Sequence, residues 1–122
     1  MVSPTTTSEV SRTVGALNLL RIFGLQCPYA IRSGGHTPWA GAATIANGVQ
    51  IDLAAINQVT VASSKAITSV GPGARWLDVY SKLDTLGLSV VGGRVATVGV
   101  GGLIIGGSSR HLLSTLTNPN II

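Results

Sequence analysis

The chain opens on a polar, threonine-rich stretch and then takes up a helical rhythm. Val10, Val14 and Leu17 share one face with Arg21 at its end, which predicts a helix over 6–22. Thr6 and Glu9 have the spacing of a capping box at its start, and Gly24 is a plausible stop. PYAIRS, residues 28–33, predicts a short strand that ends on a glycine pair. A loop rich in Gly, Ala and Thr follows over 34–48. VQIDL, residues 49–53, alternates apolar with polar and predicts a second strand. Residues 58–62 and 66–70 predict two more, joined by a hairpin turn at Ser63-Ser64-Lys65. Gly71-Pro72-Gly73 then breaks the strand. A helix is predicted over 74–86, with Trp76, Val79, Tyr80, Leu83 and Leu86 as its buried face and Gly87 at its end. Leu88–Val91 predicts another short strand. This order implies an α+β fold, a small sheet packed with two helices and no regular βαβ repetition.

Both rhythms fail over residues 92–107, GGRVATVGVGGLIIGG. Glycine at this density weakens helices and strands alike. It is tolerated where backbone approaches a ligand or another backbone closely. The last stretch, 108–122, shows no clear period.

Composition narrows the function. The chain has 122 residues, 45% of them hydrophobic. That suits one domain with a modest core. Mean hydropathy is +0.47, and only 10% of residues are charged. Bulk disorder and coiled coils are thereby excluded. The net charge is +4, but the basic residues are scattered and form no stripe, which argues against nucleic acid as a partner. Aromatics make up 4% of the chain, too few for a base-stacking groove. Cys27 is the one cysteine and His36 and His111 the two histidines, so neither a disulfide nor a zinc site is expected. No signal peptide opens the chain. The longest uncharged apolar stretch, between Arg94 and Arg110, is too short for a membrane span.

The glycine-rich regions are the candidates for chemistry. Arg32-Ser33-Gly34-Gly35-His36 follows a strand and could present successive backbone N–H groups to an anion. A purely structural turn remains the alternative reading of those residues. The usual dinucleotide fingerprint is missing. Residues 101–108 have the glycine spacing of a P-loop, but Gly107 stands where the lysine must be. Asp52 reads as a structural hydrogen-bonder, and Asp78 and Asp84 as solvated positions on the second helix.

Taken together, several pieces resemble one family. They are Ile31-Arg32-Ser33-Gly34-Gly35-His36 with Gly41, then Val49-x-Ile51-Asp52-Leu53, then Val70-Gly71-Pro72-Gly73-Ala74-x-Trp76. The last is Val91-Gly92-Gly93 continuing to Val98-Gly99-x-Gly101-Gly102 and Gly106-Gly107. In this order they resemble the PCMH-type FAD-binding domain of the vanillyl-alcohol oxidase superfamily, closest to the berberine-bridge-enzyme-like FAD-linked oxidases. The resemblance covers roughly residues 2–107 and implies the N-terminal lobe of that domain. It implies FAD as cofactor, its pyrophosphate wrapped by backbone amides of the loop that carries Arg32, Ser33, Gly34, Gly35, His36 and Thr37. His36 matches the histidine that commonly bonds the flavin 8α-methyl covalently. Gly93, Val98, Gly99, Gly101 and Gly102 would contact the flavin ring and ribityl chain. Some members carry a second link through a cysteine where this chain has Val95. Trp39 is expected to pack under the flavin edge or over the core.

In the family, a small organic substrate gives hydride to the flavin and dioxygen reoxidises it. None of the residues singled out is a catalytic base. Residues 108–122 do not match the family's continuation, and its substrate domain is absent. The resemblance therefore implies a fragment without turnover alone, marginal in stability, with Leu103, Ile104 and Ile105 uncovered. The rival expectations are a non-catalytic lobe that binds no flavin, and a phosphate- or nucleotide-binding module unrelated to flavin. Many relatives are secreted, but compartment is not legible here.

Overall fold

The structure, a computed structural model, describes residues 1–107. The tail expected over 108–122 lies outside the described residues. The elements are α1 (Thr7–Ile22), β1 (Tyr29–Arg32), β2 (Val49–Asp52), β3 (Val59–Val61), β4 (Thr68–Val70), α2 (Trp76–Asp84) and α3 (Val100–Ile105). The α+β class holds. The expected single sheet is instead two separate two-stranded sheets, and a third short helix lies within the glycine-rich segment.

Helix α1 starts where the sequence signals it. The Glu9 N–H donates to Thr6 Oγ1 at 3.2 Å. The return arm of the capping box is displaced by one residue, because the Glu9 carboxylate accepts from the N–H and hydroxyl of Thr5, at 2.7 and 3.0 Å. These bonds hold the Glu9 carboxyl below the usual carboxylate range. Gly24, at φ +79°, lets the chain turn off the helix. Leu17 is the buried residue of α1, and Val10 and Val14 pack beside it against Ile51, Leu53 and Ile56.

Strands β1 and β2 run parallel, with Tyr29 opposite Val49 and Arg32 opposite Asp52. A parallel pair cannot close with a tight turn and needs a long crossover. Here the glycine-rich loop serves as that crossover without forming a helix. On the other side of β2, Val2 bridges to Ile51 in parallel. Strands β3 and β4 form the expected antiparallel hairpin, Val59 opposite Val70, and Lys65 takes φ +57° in its turn.

Helix α2 corrects three expectations. Asp78 is not simply solvated: its carboxylate accepts the Arg75 N–H at 2.9 Å and caps the helix start. Leu86 is 40% exposed rather than part of the buried face. The helix ends at Asp84, which moves Leu86 off the helical face into the turn that Gly87 closes at φ +65°. Leu88 fills the core instead. Its N–H bonds back to the Leu83 carbonyl at 3.1 Å, so Leu88–Val91 forms no named strand.

Two apolar clusters organise the molecule. Trp76, Val79, Leu83, Leu88, Ala74 and Val100 make the first, beneath the β3–β4 hairpin. Leu17, Ile51, Leu53 and Ile56 make the second, between α1 and the parallel pair, with Cys27 at its edge. Each fully buried aliphatic side chain contributes about 1.5–3 kcal/mol. No polar or charged residue is buried among the described residues.

Candidate functional site

The two glycine segments meet. Past β1 the backbone turns at Ser33, whose hydroxyl donates to the Pro72 carbonyl at 2.6 Å. Gly34 then lies directly against Gly99. A Cβ on Gly34 would stand 2.5 Å from the Gly99 nitrogen and 2.7 Å from its Cα. Only two glycines permit such an approach. Helix α3 begins there and is tied down by Val100 N–H to the Ala74 carbonyl (2.9 Å) and Gly101 N–H to the Pro72 carbonyl (3.3 Å).

This closure shapes a cavity of about 610 Å³. Ser33, Gly34, Gly35, His36 and Thr37 form one side, and Val98, Gly99, Gly101 and Gly102 another. Ile31, Leu53, Pro72, Leu103 and Ile105 supply apolar surface. Ala42, Ala43 and Gly106 complete it. Among the described lining residues no side chain is acidic, lysine or arginine, and His36 is the only titratable one. The polar capacity comes from the main chain. The N–H groups of Gly34, Gly35, His36 and Thr37 have no backbone acceptor among the described residues. A run of N–H groups without backbone acceptors that passes through a left-handed glycine, here Gly35 at φ +66°, is the pattern from which anion-binding turns are built. That turn and the apolar walls together suit a ligand with an anionic linker and flat apolar rings.

The structure therefore brings the sequence-derived candidates to one cavity, except Arg32 and Gly93. Arg32 stands at the end of β1 with its guanidinium beside Gly35, where a Cβ would meet Nε at 2.8 Å. Gly93 packs on the Trp76 indole, 2.6 Å from Nε1 for a Cβ placed there. Its carbonyl accepts the Tyr80 hydroxyl at 2.8 Å. Tyr80 stacks on Trp76 with ring centroids 5.7 Å apart, and burial pushes its hydroxyl above the ordinary tyrosine range. Trp76 Nε1 is buried without a hydrogen-bond partner among the described residues. The need for glycine at 93 is thus met by the core. Trp39 is 78% exposed and covers no core. Asp52 accepts the Ala54 N–H at 3.0 Å, the structural role expected of it.

Sequence reasoning missed the apolar lining, notably Leu53, Pro72, Leu103 and Ile105. Pro72 lay inside a quoted motif and could have been found. Leu103 and Ile105 needed the turn of α3. Among the described residues no group of three or more His, Cys, Asp or Glu could hold a metal ion. None of the described helices is long and apolar enough to cross a membrane.

With crossover loop, glycine contact and cavity in view, comparison with known proteins identifies the class. The model of the FAD binding domain family matches residues 1–116, and the chain belongs to that family. It is 37% identical to the FAD-dependent monooxygenase yanF of Aspergillus niger, over 98% of this chain and 19% of that protein. It is 46% identical to the FAD-dependent monooxygenase tpcD of Cochliobolus heterostrophus, over 70% of this chain and 16% of that protein. Among solved structures it is similar to aclacinomycin oxidoreductase, with a TM-score of 0.68 and 32% identity, covering 86% of this chain and 20% of the other. The chain spans 16–19% of the length of the two curated relatives named.

Proposed function

We propose that this chain is the FAD-binding portion of a flavin-dependent oxidoreductase of the berberine-bridge-like type. Such an enzyme oxidises a small organic substrate with dioxygen as electron acceptor. The observation that carries the reading is the run of N–H groups from Gly34 to Thr37, without backbone acceptors among the described residues, along a cavity that Gly99 also lines. The amides would hold the pyrophosphate. Their donors are set in place before binding, so little ordering cost remains. Ser33, through its bond to Pro72, keeps the loop at the distance the cradle needs. Leu53 and Leu103 would exclude water from the apolar rings. His36, the imidazole of the cavity, is the residue that would carry a covalent link to the flavin. Bound FAD would supply the two-electron chemistry that none of the lining side chains can. The substrate class would be decided in those parts of the relatives that this chain does not match.

The test is a visible spectrum of the purified chain mixed with FAD, followed by acid precipitation. A yellow protein whose pellet stays fluorescent, with the flavin released in His36→Ala, supports both cofactor and link. Flavin that acid releases from both proteins keeps the cofactor and discards the link. A chain that stays colourless with excess FAD overturns the reading in favour of a lobe that binds no flavin.

A further inference from the structure

Trp39 is the residue whose position the fold leaves unexplained. A tryptophan is costly to leave in water, yet this one is 78% exposed, while Trp76, the other, is 3% exposed in the core. It does not lie on a mobile end. His36 and Thr37 before it and Ala42 and Ala43 after it all line the cavity. Residues 38–41 are therefore a short excursion whose two feet both stand on the rim. The excursion is built. The Ala42 N–H donates to the Trp39 carbonyl at 3.3 Å, with Gly41 at φ +83° in the third position. That is the arrangement of a type II turn. The Trp39 N–H meets Thr37 Oγ1 at 3.4 Å, and Pro38 stiffens the approach. The main chain is pinned while the indole is unpacked.

We propose that Trp39 is a ligand-binding residue of this cavity, an aromatic cover that stacks on a flat heteroaromatic ring of the bound cofactor. The inference rests on the FAD reading above and adds a contact to it. Trp39 flanks the lining without being part of it, and the lining is aliphatic or glycine apart from Ser33, His36 and Thr37, so the described lining itself offers a ring no aromatic face larger than the His36 imidazole. The proposal asks only for rotation of the indole about its two side-chain torsions, toward the lining residues that flank the turn. Stacking on a ring would also remove the indole surface from water. The rival occupant of that surface is polypeptide from elsewhere, which would cover Trp39 without improving cofactor binding.

The experiment measures FAD retained by the 122-residue chain in ultrafiltration, with Trp39 intact, Trp39→Phe or Trp39→Ala, each in a His36→Ala background so that a covalent link cannot mask a change in affinity. Circular dichroism serves as the folding control. Acrylamide quenching of the wild-type tryptophan emission is recorded with and without FAD. Trp39→Ala is expected to weaken retention about tenfold, the scale of one aromatic–base stack, and Trp39→Phe by less. The readily quenched part of the emission should become protected when FAD is present. Equal retention with Trp39→Ala and with Trp39 intact, or unchanged quenching with FAD bound, overturns the proposal and leaves the FAD reading standing. Failure of the wild type to retain FAD overturns both.

Discussion

At the scale of single residues, the glycines separate into those that build the fold and those that keep the cavity open. Gly34 belongs to the first kind, since any Cβ there would press on the Gly99 backbone, which has no flexible end to move aside. Gly102 belongs to the second. A Cβ there meets nothing within 4 Å, although the residue lines the cavity and sits inside α3. Thermal unfolding should separate them. Gly34→Ala is expected to destabilise the chain by about 1–3 kcal/mol, the usual cost of overpacking. Gly102→Ala should leave stability unchanged or raise it by up to about 1 kcal/mol through helix propensity, while reducing FAD retention. Equal melting temperatures for the two variants would contradict the assignment. Both glycines were legible in the sequence as site candidates, but the distinction between them was not, because it depends on what lies opposite.

At the scale of elements, α2 is the hub. Its Trp76 and Tyr80 support residues 92–93, and its own start is held by Asp78. The Tyr80 hydroxyl ionises at higher pH in the folded chain than in the unfolded one, because burial disfavours the phenolate. The neutral form therefore favours folding. The stability it gives is fully present below about pH 10, the range where an unfolded tyrosine titrates. It is lost as pH rises from there through the folded value. Tyr80→Phe should lower stability near neutrality by about 1 kcal/mol, the net worth of a hydrogen bond. It should also flatten the alkaline decline seen by denaturant unfolding above pH 10. A decline of the same steepness in Tyr80→Phe would assign it to other groups. The sequence predicted α2 well from its apolar spacing. It misplaced Leu86 because the helix stops before that residue, and helix ends are set by local bonds that periodicity does not see.

At the scale of the whole molecule, two small sheets and short helices leave much apolar surface outside. Ile22 and Phe23 at the end of α1 are 78% and 75% exposed, and Ile105 is 89% exposed. The uncovered segment expected at Leu103 to Ile105 is borne out at Ile104 and Ile105, while Leu103 packs partly against the first core. Two-stranded sheets are marginal alone, and exposed apolar clusters promote association. Sedimentation of the purified chain should show concentration-dependent association, reduced in Phe23→Ser/Ile105→Ser, and a monomer at all concentrations would refute this. Local signals carried much of the architecture. Capping residues, apolar periodicity and turn glycines specify α1, the hairpin and α2 because each depends on neighbours a few residues away. The sequence by itself also marked the glycine segments and His36, since their order along the chain is distinctive. Only the tertiary structure decided that Gly34 seats on Gly99 and that Gly93 packs on the Trp76 indole. It alone revealed that a helix forms among the late glycines and that Trp39 stands uncovered on the rim. Each of these is a contact, or a missing contact, between segments far apart in the chain, and no local preference encodes which distant backbone will arrive.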